Sequence, residues 1–358
     1  MTELAVIVPC FNERHNVAIL VDKLDNALKG ISWEVIFVDD DSPDGTASIA
    51  REIAIANPRV RCIQRIGRRG LATAVIEGML ATSAPYLAVI DGDLQHDERL
   101  LPEMLKTLKC EKLDLVIGSR YVGGGGVGAW DRTRAAMSSL ATRLARLVVR
   151  EPPSDPMSGF FIITRPAFER SVRHLSGQGF KILLDLLAST PQPFRFRELP
   201  YTFRDRQHGE SKLDSFALWE YLTLLLDKLI GWLIPVRLVM FAAVGTTGVA
   251  VHLVTLRLAL AAFDFATAQA LATAVAITSN FVVNNMLTYR DRRLRGIKFF
   301  TGLLSFYAIC GVGAIANVGI AAIAFQHRYS WWLSALAGIA VGLVWNYAVS
   351  SVLTWGRK

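Results

Sequence analysis

Four long apolar segments fill the chain from Arg237 onward, at about residues 238–262, 266–289, 299–325 and 331–355. Each exceeds the roughly 20 residues that an α-helix needs to cross a bilayer. After position 230 only Asp264 and Asp291 carry a negative charge. These features predict an all-α bundle of four transmembrane helices over residues 237–358.

Basic residues mark one side of this predicted bundle. Four crossings place both ends of the bundle on that side, which the positive-inside rule assigns to the cytosol. The N-terminus has no basic leader and does not read as a signal peptide, so we expect both termini and the first domain to be cytosolic in a multi-pass protein of the cytoplasmic membrane. The basic residues are Arg290, Arg292, Arg293, Arg295 and Lys298 between the second and third segments, with Arg357 and Lys358 in the tail.

The apolar region also contains a repeated pattern. Residues 279–292 (SNFVVNNMLTYRDR) align without gaps to residues 345–358 (WNYAVSSVLTWGRK), an alignment that pairs Tyr289 with Trp355. The repeat predicts two copies of a helical hairpin, related as parallel repeats.

Before position 230 the chain alternates buried-strand runs with segments of helical periodicity. This alternation predicts an α/β, Rossmann-like domain with a mostly parallel sheet. The predicted strands cover residues 4–9, 33–42, 60–64, 86–95 and 113–120, and the predicted helices cover 17–28, 46–56, 70–82 and 98–109.

Polar residues follow three of these strands at the point where each strand ends. They lie at residues 9–13, 39–44 and 91–95. Ligands of open parallel sheets bind beyond the carboxyl ends of the strands. We therefore expect one cleft to collect all three groups.

Asp91 and Asp93 flank a single glycine at the end of a predicted strand. Two carboxylates in this arrangement suit Mg²⁺ or Mn²⁺ bridging a diphosphate, and Gln95 could add a carbonyl oxygen. Such a pair is a weak signal alone, because carboxylates are common at strand ends. Its position after an array of βα units strengthens the metal interpretation.

The acidic run of residues 39–41 has two interpretations. Acidic residues at strand ends of nucleotide-binding folds hydrogen-bond a ribose or base, and Asp41 is the predicted contact. Alternatively, the run complements a helix N-terminus, with Asp44 capping a helix that begins near Thr46. Both interpretations can hold for different residues of the run.

The formal net charge of +8 raises the question of a nucleic-acid partner. The chain has no aromatic residues interleaved with basic patches, so anionic lipid and phosphate explain the charge better than nucleic acid does. Two amphipathic segments, about residues 130–150 and 215–236, are predicted to lie in the plane of the lipid head groups. The alternative is that both are packing helices of the first domain.

Six colinear motifs resemble those of the dolichol- or polyprenol-phosphate mannosyltransferases, inverting family-2 enzymes of the GT-A fold. The resemblance covers about residues 4–215. The bundle resembles the GtrA-like family, whose NFxxNxxxTF(R) pattern is approximated from Asn280 to Arg290. The motifs are VIVPCFNE (6–13), VDDDSPDGT (38–46), DGDLQH (91–96), GSRY (118–121), DPMSGFF (155–161) and FRDRQHGESKL (203–213).

The resemblance implies a role for individual residues. Those implied to bind the nucleotide sugar are Pro9, Phe11, Glu13, Asp39, Asp41, Asp91 and Gln95. Those implied to hold the metal are Asp91, Asp93 and Gln95. The catalytic set is Asp93, Arg120, Arg134, Arg206 and Lys212, with Asp155, Ser138 and Ser211 near the acceptor.

The chain departs from the family pattern at the acidic run. Asp41 stands where the family commonly has glycine, so Asp39 and Asp40 remain contenders for the nucleotide contact. A second departure is the GLATA sequence at residues 70–74, where the family commonly has GLGxA. Neither removes a charged group that the implied reaction needs.

The implied activity is transfer of a hexose, with mannose from GDP-mannose favoured, to the phosphate of a membrane polyprenyl phosphate. Glucose from UDP-glucose is the alternative donor. An anionic phosphate acceptor needs no general base, whereas a hydroxyl acceptor would need one such as Asp155. A different class of function is a flippase of lipid-linked sugar.

The resulting domains are residues 1–214, an interfacial helix at 215–236, and residues 237–358, with no oligomeric state predicted.

Overall fold

The computed structural model describes residues 2–126, 142–177, 181–204 and 215–356. The chain forms two compact units, Met1–Leu229 and Ile230–Lys358. Most of residues 215–236, the segment expected to be an interfacial helix, belongs to the first unit.

The first unit contains a seven-stranded sheet among its described residues, in the order β3-β2-β1-β4-β6-β5-β7. Its pairings are parallel except where β6 meets β4 and β5, which confirms the predicted α/β fold with a mostly parallel sheet. The strands are β1 (Leu4–Cys10), β2 (Trp33–Asp39), β3 (Val60–Gln64), β4 (Tyr86–Val89), β5 (Leu115–Ser119), β6 (Phe161–Thr164) and β7 (Phe196–Pro200).

Helices cover both faces of this sheet. Every residue of β1 is buried, and successive residues contribute to two different apolar clusters, Ala5 and Ile7 to one and Val6 and Val8 to the other. This is the pattern of a central strand in a doubly covered sheet. The helices are α1 (Val17–Ala27), α2 (Thr46–Ala56), α3 (Leu71–Leu80), α4 (Leu101–Cys110), α5 (Arg165–Ser171), α6 (Ile182–Ser189) and α7 (Ser215–Ile230).

The antiparallel strand β6 shapes one edge of the sheet. Its first residue, Phe161, pairs with Val89 of β4 and with Ile117 of β5, each near the carboxyl end of its own strand. The loop that precedes β6, residues 155–160, therefore reaches the edge at which the parallel strands end.

Helix α7 packs onto the first unit through one of its faces. Tyr221, Leu224 and Leu225 are buried in an apolar cluster of that unit. Lys228 Nζ lies 2.6 Å from a carboxylate oxygen of the buried Asp185. The placement of α7 at a membrane surface stays a prediction, and the segment over 130–150 falls partly outside the described residues.

The second unit contains four helices long and apolar enough to cross a membrane within the part of the chain that the structure describes. The predicted four-helix bundle is confirmed. The helices are α8 (Val236–Ala259), α9 (Phe265–Val283), α10 (Ile297–Gln326) and α11 (Trp331–Val349), and α9 and α11 continue into π-helical turns at Asn284–Thr288 and Ser350–Thr354.

The two π-helical turns occupy equivalent positions of the sequence repeat. Each is followed by a fully buried aromatic residue, Tyr289 in the first hairpin and Trp355 in the second. The two rings stack with centroids 4.2 Å apart and planes 3° apart. The repeat therefore brings equivalent residues of its two halves into direct contact.

Candidate active site

Two loops are joined at the edge where β1 and β2 end. The backbone N–H of Asn12 donates to Ser42 Oγ at 2.9 Å, and that of Glu13 donates to Thr46 Oγ1 at 3.0 Å. The Glu13 carboxylate accepts from Asn16 Nδ2 at 2.7 Å. Glu13, a predicted nucleotide-binding residue, is thus held in place by backbone and side-chain hydrogen bonds.

Pro9 and Phe11 lie beside this junction. Pro9 is a buried residue of β1, and Phe11 is half-buried just beyond the strand. The guanidinium carbon of Arg69 lies 4.3 Å from the centre of the Phe11 ring. This cation–π contact adds Arg69, which no motif had indicated, to the predicted nucleotide end of the site.

Asp40 is committed to a buried ion pair. Arg65 is 1% exposed and donates through Nε to Asp40 Oδ1 at 2.7 Å. The other carboxylate oxygen accepts from the backbone N–H of Gly70 at 2.7 Å. These contacts give Asp40 a structural role and argue against it as the nucleotide contact.

Asp39 and Asp41 differ in exposure. Asp39 is fully buried and accepts from the backbone N–H of Ser42 at 3.0 Å, whereas Asp41 is exposed and accepts from Gln64 Nε2 at 2.8 Å. Asp41 has a φ of 58°, in the left-handed region that favours glycine, which accounts for the glycine of the family pattern at this position. Asp41 is thus the exposed member of the pair, and its contact with the nucleotide stays a prediction.

Asp44 hydrogen-bonds to the first residue of α2, although the N-cap position of that helix is Gly45 and not Asp44 as predicted. Its carboxylate accepts from the backbone N–H and the hydroxyl of Thr46, at 3.0 and 2.6 Å. It also accepts from the backbone N–H of Arg14 at 3.1 Å. Burial alone would raise the pKa of Asp44, but these hydrogen bonds outweigh burial and hold the pKa below its ordinary value.

Asp91 and Asp93 follow β4 in a tight turn. Asp93 is buried and accepts from the backbone N–H of Gln95 at 3.2 Å. Gly92 packs against the end of β1, where an added Cβ would lie 3.3 Å from Cys10 Sγ. Among the described residues, no third His, Cys, Asp or Glu joins the pair in a metal-binding cluster.

Gly159, in the loop before β6, faces the carboxylate of Asp91. A Cβ added to Gly159 would lie 2.9 Å from Asp91 Oδ2, so only glycine leaves this space open. Burial and, next, the Asp93 carboxylate raise the pKa of Asp91 to about 7. Two close carboxylates that repel each other in a pocket kept open by glycine fit a divalent cation.

His96 accepts a hydrogen bond from the backbone of this turn. Its Nδ1 accepts from the backbone N–H of Asp91 at 3.2 Å, and its ring stacks on Phe160 with centroids 5.3 Å apart. Burial lowers the pKa of His96 to about 4, so the ring is neutral near pH 7. His96 thus fixes the backbone of Asp91 without adding charge.

Gln95 connects this turn to the segment after β7. Its side-chain Nε2 donates to the backbone carbonyl oxygen of Arg204 at 2.9 Å, and its backbone carbonyl oxygen accepts from the backbone N–H of Arg204 at 2.9 Å. These bonds give Gln95 a tethering role. Metal ligation by Gln95 stays a prediction.

Arg120, just beyond β5, holds Asp155 in a bidentate ion pair. The Nε–Oδ2 and Nη2–Oδ1 distances are both 2.7 Å, and the Arg120 backbone N–H donates to Oδ2 at 3.1 Å. Asp155 is fully buried. A carboxylate bound through both oxygens to a guanidinium is a poor general base, so this geometry argues against the base alternative.

Lys181, at the start of α6, was not predicted as a site residue. Its Nζ donates to the carbonyl oxygen of Met157 at 3.3 Å. Burial and Asp93 raise the pKa of Asp91, and the charge of Lys181 opposes that rise, which places this ammonium within electrostatic reach of the acidic pair.

Part of the predicted site cannot be placed. The predicted residues that lie outside the described part of the chain are Arg134, Ser138, Arg206, Ser211 and Lys212. The structure brings Asp91, Asp93 and Arg120 to the same edge of the sheet, where β4 and β5 end.

Two family models match the chain. Residues 5–172 match glycosyl transferase family 2. Residues 240–355 match the GtrA/DPMS transmembrane domain.

Related proteins were found by sequence and by structure. The chain is 34% identical to a dolichol-phosphate mannosyltransferase of Pyrococcus furiosus over 357 residues, 99% of each chain. It is 39% identical to a dolichol-phosphate mannosyltransferase of Mycosarcoma maydis over 62% of this chain and 78% of that protein. A crystal structure of glucosyl-3-phosphoglycerate synthase from Mycobacterium tuberculosis aligns with a TM-score of 0.46 and 21% identity, over 63% of this chain and 80% of that one. The chain therefore belongs to the dolichol-phosphate mannosyltransferase family, as a membrane-embedded family-2 glycosyltransferase with a GtrA/DPMS transmembrane domain.

Proposed function

We propose that this enzyme transfers mannose from GDP-mannose to the phosphate of a membrane polyprenyl phosphate, with inversion at the anomeric carbon. The products are polyprenyl-phosphate-mannose and GDP. The observation that carries the proposal is the close approach of Gly159 to Asp91, at the edge of the sheet that also holds Arg120, where we propose that Asp91 and Asp93 bind the cation. Similarity over 99% of both chains to a relative named for this activity supports it.

The nucleotide is proposed to bind where β1 and β2 end. Asp41 is exposed there and is the proposed contact to ribose or base. Phe11 offers an aromatic face and Arg69 a positive charge beside it. Glu13 and the buried Asp39 are proposed to shape this end of the pocket.

Asp91 and Asp93 are the proposed ligands of Mg²⁺ or Mn²⁺. When bound, the cation would neutralise the negative charge of the sugar diphosphate. A site with one or two carboxylates, completed by substrate phosphate oxygens, is typical of Mg²⁺. The chain itself holds the pair in place through two hydrogen bonds. The backbone N–H of Asp91 donates to His96 Nδ1, and the backbone N–H of Gln95 donates to Asp93 Oδ1.

Transfer then requires positioning and charge compensation. A phosphate oxygen of the acceptor attacks the anomeric carbon while the bond from that carbon to the diphosphate oxygen breaks, and the bonding electrons leave with GDP. No proton has to be removed from an anionic acceptor. The positive charges of Lys181 and Arg120 act on Asp91, where both oppose the rise of its pKa. Arg134, Arg206 and Lys212 stay predicted partners of the phosphates, with Ser138 and Ser211 near the acceptor.

The Arg120–Asp155 pair favours a phosphate acceptor over a hydroxyl acceptor. A hydroxyl would need a carboxylate base, and both oxygens of Asp155 already bind Arg120.

The basic loop between α9 and α10 supports a cytosolic orientation of the catalytic unit by the positive-inside rule.

The test is a donor and acceptor panel with purified full-length protein and Mn²⁺ or Mg²⁺. We expect radiolabelled lipid from GDP-mannose and polyprenyl phosphate, and none from the dephosphorylated polyprenol. If only UDP-glucose labels the lipid, the donor is UDP-glucose and not GDP-mannose. Transfer to polyprenol would refute the phosphate acceptor.

A further inference from the structure

A cavity of about 410 Å³ opens beside the loop that joins α9 to α10. Arg293 and Arg295 line it from that loop, and the apolar side chains of Val282, Met286 and Phe299 line it from the two helices. The cavity therefore combines two guanidinium-bearing residues with an apolar wall.

The loop that carries the arginines is held at a fixed position. Asn285 is buried, and its side chain binds both backbone groups of Leu294: Oδ1 accepts from the N–H at 2.8 Å and Nδ2 donates to the carbonyl oxygen at 3.1 Å. Trp355 Nε1 donates to the same Oδ1 at 3.1 Å. Because Leu294 separates Arg293 from Arg295, its anchoring fixes the backbone of both.

The two arginines carry charge that the described part of the chain does not neutralise. Both are exposed, and neither forms an ion pair with a described carboxylate. The acidic residue of this loop, Asp291, pairs instead with Arg237 at 2.7 Å and lies 3.6 Å from Arg292. An anion that enters the cavity would therefore meet two available guanidinium groups.

We propose that this cavity binds the phosphate head group of an anionic membrane lipid. Arg293 and Arg295 would donate to the phosphate oxygens, for which the planar guanidinium is well suited. The first carbons of the lipid chain would lie against Met286 and Phe299. The loop joins two membrane-spanning helices, which places it at the level of lipid head groups, and the apolar wall favours a lipid over a water-soluble phosphate.

The test is native mass spectrometry of the full-length protein in detergent with short-chain phosphatidylglycerol or phosphatidylcholine. We expect phosphatidylglycerol to bind more tightly. Arg293→Gln and Arg295→Gln should each weaken that binding about tenfold, the loss of one charge-assisted hydrogen bond. The matched control is Lys298→Gln, which removes one charge close by in the chain but does not line the cavity.

A second variant separates a built site from diffuse attraction. Met286→Trp fills the cavity and keeps every charge, so it should also abolish phosphatidylglycerol binding, with an unchanged melting profile as the check on folding. Equal loss in Lys298→Gln, retained binding in Met286→Trp, equal binding of phosphatidylcholine, or displacement of the lipid by millimolar inorganic phosphate would each overturn the proposal. The readout does not use sugar transfer, so it stands or falls separately from the proposed function.

Discussion

The guanidinium of Arg120 and the carboxylate of Asp155 form two parallel hydrogen bonds of 2.7 Å each, in a position where Asp155 is fully buried. The pair links the residue after β5 to the loop before β6. It therefore fixes the position of Arg120 relative to the loop of residues 155–160, which contains Gly159.

Asp155→Asn tests whether this carboxylate is structural or a base. Removing one partner of a buried ion pair costs about 3–5 kcal/mol, so we expect a clear fall in the apparent melting temperature of the detergent-solubilised protein. The control is Asp25→Asn, which breaks an exposed pair with Arg59 and should cost about 1 kcal/mol or less. Loss of transfer at unchanged stability would instead identify Asp155 as the base.

Gly159→Ala tests the space beside Asp91. The added Cβ would lie 2.9 Å from the carboxylate oxygen and should displace it. Misplacement of a reacting group by about 1 Å can lower turnover roughly a hundredfold, and we expect a decrease of that order together with a higher Mn²⁺ requirement. Gly319→Ala adds the same methyl group where nothing lies within 4 Å, and its turnover should match the wild type. Normal turnover in Gly159→Ala would show that the space beside Asp91 is not needed for transfer.

The contact between Tyr289 and Trp355 should stabilise the membrane unit. Trp355 is fully buried, and removing a buried aromatic side chain costs about 3–5 kcal/mol. Trp355→Ala should therefore lower resistance to unfolding by SDS. The matched variant Trp331→Ala removes an indole that is 75% exposed and should change it little. Equal effects would mean that the stack adds no specific stability.

Asp44→Asn should lose stability in a way that depends on pH. The pKa of Asp44 is held below its ordinary value of 3.8 in the folded protein, so its stabilisation is present above that pH and is lost as the pH falls through the folded pKa. We expect Asp44→Asn to be less stable by roughly 1 kcal/mol near pH 7, after allowance for solvent screening, with the difference shrinking below about pH 4. Unfolding curves of both proteins across this range provide the measurement, and a difference that grows at low pH would contradict it.

Much of the fold follows from local sequence patterns. The period of the apolar residues locates β1 to β5 and the four membrane helices, because each pattern extends over a single element. Strands β2 and β4 end at Asp39 and Val89, earlier than predicted. The chain turns there, and the side chains of Asp39 and Asp93 accept from the backbone N–H groups of Ser42 and Gln95. The antiparallel insertion of β6 depends on pairing with strands distant in sequence, which local periodicity does not reveal.

Residues of the candidate site could be proposed from the sequence only where a motif contains them. Asp91, Asp93 and Arg120 stand in recognisable segments. Lys181 stands in none, and only the folded arrangement of α6 brings its charge near the acidic pair. The role of Asp40 could not be predicted either, because its partner Arg65 follows β3 and lies 25 residues away in the sequence.

The most direct test of the central claim is the rate of mannose transfer from GDP-mannose to polyprenyl phosphate in Asp93→Asn. Asparagine keeps an oxygen to accept from the Gln95 N–H, so the turn should persist while the charge that holds the cation is lost. With Asp25→Asn as the exposed control, we predict near-normal turnover in the control and a decrease of roughly a thousandfold in Asp93→Asn at an unchanged melting temperature. Turnover of Asp93→Asn near that of the wild type would contradict the account.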